Sequence, residues 1–346
     1  MDTALLLAAH GIGVGSRKSD YKKELLVSAS RMRRDDPKAQ NTYTDPILAI
    51  DKTRVATYRS NAVSTVDIYL HETKQLVCSI NLVAVYGSGC YPELASIISG
   101  GFVGNYLVLN VYYPTGPNRY LGVFNATTGT WVRTLSNNQG RFEDFKNDPS
   151  DGSLYTNSYS YIKKIDTNGN EVWNTAINSS EGGNVIAGFE DGNVYSGHNT
   201  NGKMSWYDKV TGLKKGERAV TPSSTQNVET MRKFGTEYFV GYSNEYKVFT
   251  DNTFATLART VTNVAMFYKI SDTEMLVCSW SGTAGCGEMY TVNPVNFNII
   301  NPCVSAFNID QQPHYEEIGK LIITRYSLGG GYILQGNSLV KIHLKG

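Results

Sequence analysis

Charge is scarce in this 346-residue chain: Asp, Glu, Lys and Arg together make up 18% and leave a formal net charge of +1. A balance so close to zero excludes a broad electrostatic attraction to a nucleic-acid duplex or an anionic bilayer, so any binding is local. Cysteine is sparse as well. Cys78, Cys90, Cys278, Cys286 and Cys303 are odd in number and have no CxxC spacing, which argues against a disulfide framework or a zinc ribbon. Free, buried thiols are the expectation, with one disulfide among the last three as the alternative. No apolar run approaches the roughly 20 residues that a membrane-spanning helix needs. The apolar start, Ala4 to Ala9, lacks a basic flank because Asp2 stands there, so it reads as mature protein and not as a secretion signal.

The usual chemical signatures are missing too. The five histidines, His10, His71, His198, His314 and His343, never fall at HxH or HxxxH spacing, so no metal site is expected. There is no Gly-x-Ser-x-Gly elbow, and Gly11, Gly13 and Gly15 lack the spacing of a dinucleotide fingerprint. Asp166, Asn168 and Glu171 around Gly169 do not make a 12-residue calcium loop and read as turn chemistry. No cofactor is expected.

What the chain does have is turns and aromatics: 33 Gly, 23 Tyr and 41% hydrophobic residues. From about Asp45 onward, short runs of Val, Ile, Tyr, Phe and Leu alternate with Gly, Asn, Asp and Pro turns, which is the pattern of successive strands. Seven turn-entry positions align: Leu70, Asn125, Asp166, Asp208, Thr250, Asn293 and Gln335, at intervals of 55, 41, 42, 42, 43 and 42 residues. A period of ~42 suits a four-stranded propeller blade. The expected fold is therefore all-β, a seven-bladed β-propeller over residues 45–346. In its third repeat the strands are expected at 142–147, 153–157, 161–166 and 171–177. In its last they are expected at 314–320, 321–326, 331–335 and 338–344, so that the ring closes without sharing a blade between the two chain ends.

Residues 1–44 lie outside the repeat and are expected to form an N-terminal arm. Its amphipathic helix would run from Ser19 or Asp20 to about Arg34, basic through Lys22, Lys23, Arg31, Arg33 and Arg34. Such an arm would reach into other subunits of a larger assembly.

Two stretches carry a family resemblance. Asn125-Ala126-Thr127-Thr128-Gly129-Thr130-Trp131 and Asp166 through Trp173 resemble the Asp-x-x-Thr-Gly-x-x-x-Trp repeat of pyrroloquinoline-quinone-type propellers and their cofactor-free relatives. The resemblance implies the fold and, through Trp131 and Trp173, indoles packed between blades. Quinoprotein enzymes carry eight blades, a vicinal disulfide and a calcium site, and the latter two have no counterpart here, so quinone binding is not implied. The WD-repeat signature is absent, since Gly197-His198 stands alone. A Tyr-, Asn- and Gly-rich propeller with an arm also resembles bacteriophage tail and virion components that use propellers as hubs or adhesion modules.

The turns between first and second strands are short and alike, whereas the connections between second and third strands vary, and variable loops on a rigid scaffold are where function concentrates. Tyr112, Tyr113, Arg119 and Tyr120, with His198, are the candidate partner-binding residues, being of types that anchor interfaces. The expectation is a non-enzymatic interaction or assembly module, a structural component of a virion such as a bacteriophage tail hub or adhesion protein, or otherwise a cytoplasmic protein. Its partners would be protein subunits met by the arm, or a cell-surface glycan or receptor, with no nucleic acid and no membrane span. The alternative is a glycan-active lyase or hydrolase at the channel mouth, built from Glu143, Glu229 or Glu316. Asp144 and Glu317 lie on the same expected innermost strands.

Overall fold

The computed structural model of the chain describes residues 21–28, 47–70, 73–93, 99–113, 119–137, 142–158, 160–177, 183–198, 202–221, 228–242, 245–262, 264–280, 286–301, 315–317, 320–324 and 338–344. Strand β1 (Tyr21–Ser28) comes first. The first sheet is β2 (Ile47–Ile50), β3 (Arg54–Arg59), β4 (Thr65–Leu70) and β5 (Leu76–Asn81). Helix α1 (Leu82–Tyr86), capped by the Asn81 side chain accepting from Ala84 N, leads to the second sheet. That sheet holds β6 (Tyr91–Pro92), β7 (Gly100–Val103), β8 (Tyr106–Tyr112), β9 (Arg119–Asn125) and β10 (Trp131–Asn137). The third is β11 (Phe142–Asn147), β12 (Leu154–Ser158), β13 (Tyr161–Ile165) and β14 (Glu171–Ala176), close to the sequence expectation. The fourth is β15 (Gly183–Glu190), β16 (Asn193–His198), β17 (Lys203–Asp208) and β18 (Lys214–Ala219). The fifth is β19 (Val228–Phe234), β20 (Glu237–Tyr242), β21 (Glu245–Phe249) and β22 (Leu257–Thr262). The sixth is β23 (Val264–Ser271), β24 (Glu274–Trp280), β25 (Cys286–Val292) and β26 (Ile299–Asn301). The terminal sheet contains β27 (Tyr315–Glu317), β28 (Lys320–Thr324) and β29 (Ser338–Leu344), with β1 added to it. Six sheets are thus four-stranded and antiparallel, five of them simple meanders and the terminal one completed by β1, and the second sheet has a fifth strand.

Burial falls from the inside of each sheet outward. The first strands β2, β7, β11, β15, β19 and β23 adjoin one another in sequence order. Second strands are buried on both faces, as in β8, β12 and β16, because each lies between two neighbouring sheets. Fourth strands such as β14 and β18 are mostly exposed. Where the neighbouring first strand comes closest the side chain must vanish: a Cβ on Gly197 would lie 2.0 Å from the carbonyl oxygen of Val228. The equivalent places in the second and third sheets hold Asn110 and Asn157, whose amides reach Phe142 O at 3.0 Å and Ser196 Oγ at 3.3 Å.

The repeated turn joins third to fourth strands. At six of the seven aligned positions the entry residue donates its N–H to the turn-exit carbonyl: Leu70 to Gln75, Asn125 to Thr130, Asp166 to Asn170, Asp208 to Leu213, Thr250 to Thr256 and Asn293 to Asn298, at 2.9–3.1 Å. Gln335 lies outside the described residues. Asn and Asp recur at the entry because their side-chain oxygens accept from N–H groups two or three residues on, as Asn125 does from Thr127 and Thr128 and Asp208 from Val210 and Thr211.

These turns also join the sheets to each other. Those of the second to sixth sheets dock on the preceding sheet, at the second paired residue of its fourth strand. The Cys78 thiol meets Ala126 O at 3.4 Å, Arg133 binds Asn170 Oδ1, Trp173 Nε1 donates to Lys209 O at 3.1 Å, and Arg259 Nη2 donates to Pro294 O at 3.0 Å. In the fourth sheet that position is Gly216, and the Trp206 ring takes its space and meets Phe254 of the next turn at 5.4 Å between centroids. A thiol, a guanidinium and an indole serve one purpose, so the tie is invisible to residue-by-residue alignment.

Three expectations are corrected. Residues 21–28 form a strand, not part of a helix from Ser19 to Arg34, because β1 pairs with β29 from Tyr21↔Leu344 to Ser28↔Ser338. An isolated helix of about 15 residues is marginal in water, whereas the open edge of β29 offers a ladder of backbone hydrogen bonds. The remainder of the expected helix lies outside the described residues. Consequently the terminal sheet is shared between both ends of the chain: β29 is its third strand, bonded to β28 on one edge and β1 on the other, and not its fourth. The expected strand at 331–335 lies outside the described residues. Finally, Trp131 is 50% exposed and does not pack as Trp173 does. It is the first residue of β10, whereas Trp173 is the third of β14, beyond a bulge, so Arg133 occupies the docking place.

Candidate functional site

The second sheet departs from the repeat, and the departure builds a cluster. Its innermost strand is broken: β6 and β7 both pair with the same edge of β8, the first at Tyr91↔Tyr112 and the second at Gly100↔Leu109. Asn110 brackets the break, its O accepting from Glu93 N at 2.8 Å and its N donating to Ser99 O at 2.7 Å. The chain therefore leaves the strand after Glu93 and re-enters it at Ser99, as an enlarged bulge does.

At the end of the sheet where β8 connects to β9, four side chains stack. Tyr91 and Tyr112 have ring centroids 5.2 Å apart at 60°. The Arg119 guanidinium lies 5.1 Å from the Tyr112 ring centre, and its Nε donates to Glu93 Oε2 at 3.0 Å. Glu93 is nearly buried, its side chain 10% exposed, while that of Arg119 is 33% exposed. The Glu93 carboxylate fixes the position of the planar Arg119 guanidinium, whose Nη groups make no hydrogen bond among the described residues. Burial, followed by the neighbouring Tyr112 and Glu93, pushes the Tyr91 phenol up from its ordinary value, so it stays a neutral donor. Two ring faces and a positioned guanidinium can receive a planar polar group or a ring-shaped ligand edge, and the cluster contains no nucleophile paired with a base.

The residues singled out in the sequence separate. Tyr112 and Arg119 come together. Tyr120, next along β9, points to the opposite side and stacks on Tyr86 of α1 at 4.9 Å and 16°. Tyr113 packs with the same apolar cluster as Tyr120, its hydroxyl close above Gly87. His198 is in the fourth sheet and only 2% exposed, its Nε2 3.0 Å from Ser205 Oγ, which in turn lies 3.3 Å from Glu217 Oε2. Sequence reading passed over Tyr91 and Glu93. The signal for them was the 55-residue interval after Leu70, against 41–43 elsewhere, which marks an insertion in this blade alone.

Of the carboxylates expected along the channel, Asp144 is buried and committed to structure: its side chain accepts from Ile186 N at 2.8 Å, tying the third and fourth sheets. The side chains of Glu143, Glu229, Glu316 and Glu317 lie outside the described residues, as do those of Cys278, Cys286 and Cys303. Cys78 and Cys90 are free thiols. Among the described residues no three His, Cys, Asp or Glu side chains gather to hold a metal, and no helix is long and apolar enough to cross a membrane.

Consecutive four-stranded antiparallel meanders with adjoining first strands are the architecture of a β-propeller. The crystal structure of BamB from Moraxella catarrhalis, a PQQ-like β-propeller repeat protein, is similar to this chain, with a TM-score of 0.52 over 86% of each chain at 11% identity. At that identity the likeness concerns the fold alone. No family model and no curated protein matches the sequence.

Proposed function

We propose that this protein is a seven-bladed propeller that works as a non-enzymatic interaction module in a larger assembly, contacting its partner through the end of the second sheet where β8 meets β9. The single observation that carries this reading is the Tyr91–Tyr112–Arg119–Glu93 cluster: among the described residues the second sheet alone has an interrupted inner strand, and there a carboxylate-held, one-third-exposed guanidinium lies over the Tyr112 ring beside Tyr91, the residue types that anchor interfaces. The rigid, interlocked scaffold supports it, since a preorganised surface loses little entropy on binding. The assembly we propose is a virion, as a bacteriophage tail hub or adhesion component, on the strength of the Tyr-, Asn- and Gly-rich composition.

A photo-crosslinking residue at Tyr112, compared with one at Thr127 on the opposite end of the sheet, tests the contact in material from the native source. The reading expects an adduct from position 112 that disappears in Arg119→Ala. An adduct from position 127 alone would overturn it. Co-sedimentation with intact particles tests the virion setting, and recovery solely as free chain would count against it.

A further inference from the structure

Among the described residues, the large apolar side chains left in water are not scattered. Leu76, Trp131, Leu257 and Ile299 are each the first residue of a fourth strand, and they are 42–50% exposed. In the third and fourth sheets that first position is Glu171 or Lys214, each paired with a neighbouring charge, and the adjacent Val172 or Leu213 is the exposed apolar residue. Val210 and Val295 stand on the turns themselves at 78% and 69% exposure. An exposed apolar residue at or next to the start of the fourth strand therefore recurs in six successive sheets, on the rim that carries the turns between third and fourth strands. The docking ties described above are made by the next paired residue along each strand, so these side chains take no part in them, although Trp131 also meets the Tyr86 hydroxyl. Ile300, 45% exposed and next to Ile299, lies beside the rim, and Val63, at the other end of the first sheet, lies away from it at 39%.

We propose that this rim is a self-association surface on which a second copy of this chain docks face to face, leaving the Tyr112–Arg119 end free. Three observations select that occupant. Eight such side chains offer on the order of 800 Å² of apolar surface, the area per partner of a standard stable interface. The rim is largely self-neutralised, since Lys215 pairs with Asp208 and Lys214 with Glu217 while Asp166 and Asp251 accept from their own turns, so a copy meets little unpaired charge, whereas an anionic bilayer would meet fixed carboxylates. A feature repeated once per sheet is also matched best by a body with the same repeat, as an isologous interface requires.

Sedimentation velocity on the full chain over a concentration series tests this. The wild type should dimerise in the micromolar range, and Val210→Asp with Val295→Asp should raise the dissociation constant by about 100-fold or more, with circular dichroism unchanged. Val63→Asp should leave the dimer intact. Should the double variant not fold, Leu257→Lys reads the same rim from another sheet. A wild type monomeric at hundreds of micromolar, a dimer that survives the rim substitutions, or rim-dependent binding to phosphatidylcholine vesicles in place of dimerisation would each overturn the proposal.

Discussion

Arg259 has two partners at the seam of the fifth and sixth sheets. Its Nη groups grip both oxygens of Glu237 at 2.6 and 2.8 Å, and Nη2 also reaches Pro294 O. Arg259→Ala should cost about 1–3 kcal/mol in denaturant unfolding, because it leaves a half-buried carboxylate unpaired and a turn carbonyl without its donor. Arg259→Lys should recover only part, since an ammonium cannot make the forked contact. Gly197→Ala should cost at least about 1–3 kcal/mol by the same measurement, because the new methyl would drive β16 away from Val228. Glu217 supplies a pH dependence. Burial pushes its carboxyl up, but Lys203 and Lys214 outweigh that and hold it at about 2, against an ordinary 4.5. A carboxylate depressed in the folded state stabilises fully above its unfolded value and loses that contribution as pH falls through the folded one. An acid titration of unfolding should therefore show wild type losing stability between about pH 4.5 and 2 relative to Glu217→Gln. Parallel curves for the two proteins would exclude the effect.

At the level of elements, β1 is the least expected feature and the most consequential. It supplies the fourth strand of a sheet whose other three come from the far end of the chain. Deleting residues 1–28 should lower the thermal midpoint and leave the edge of β29 open to aggregation, which light scattering during heating would register. An unchanged midpoint would mean that the terminal sheet closes without β1. The turn joining third and fourth strands is the opposite case, since its position was readable from spacing alone and its chemistry from the Asn or Asp at its entry. What could not be read was its second role. The residue it docks on is Cys78, Arg133, Trp173 or Arg259 according to the sheet, and only their shared capacity to donate to a turn oxygen unites them.

For the molecule as a whole, the gradient from buried inner strands to exposed outer ones has a direct readout. Hydrogen exchange should be slowest in β8, β12, β16 and β20 and fastest in β14 and β18, with the terminal sheet's β1 nearer the fast group. Uniform protection across each sheet would contradict the packing.

The sequence by itself determined the all-β class, the ~42-residue period and the six described turn entries, because hydrophobic alternation and turn chemistry are local properties of a few neighbouring residues. It also pointed to Tyr112 and Arg119, which β8 and β9 bring face to face. Tertiary structure alone decided that residues 21–28 become a strand, that Trp131 faces water while Arg133 takes the docking place, that His198 is buried, and that Glu93 and Tyr91 complete the stack. Each depends on which groups a distant segment presents: the open edge of β29, a bulge of one residue, a neighbouring sheet, and a broken inner strand. Contacts of that kind join segments from 26 residues apart, as Glu93 and Arg119 are, to opposite ends of the chain, as Tyr21 and Leu344 are, and no spacing along the chain encodes them.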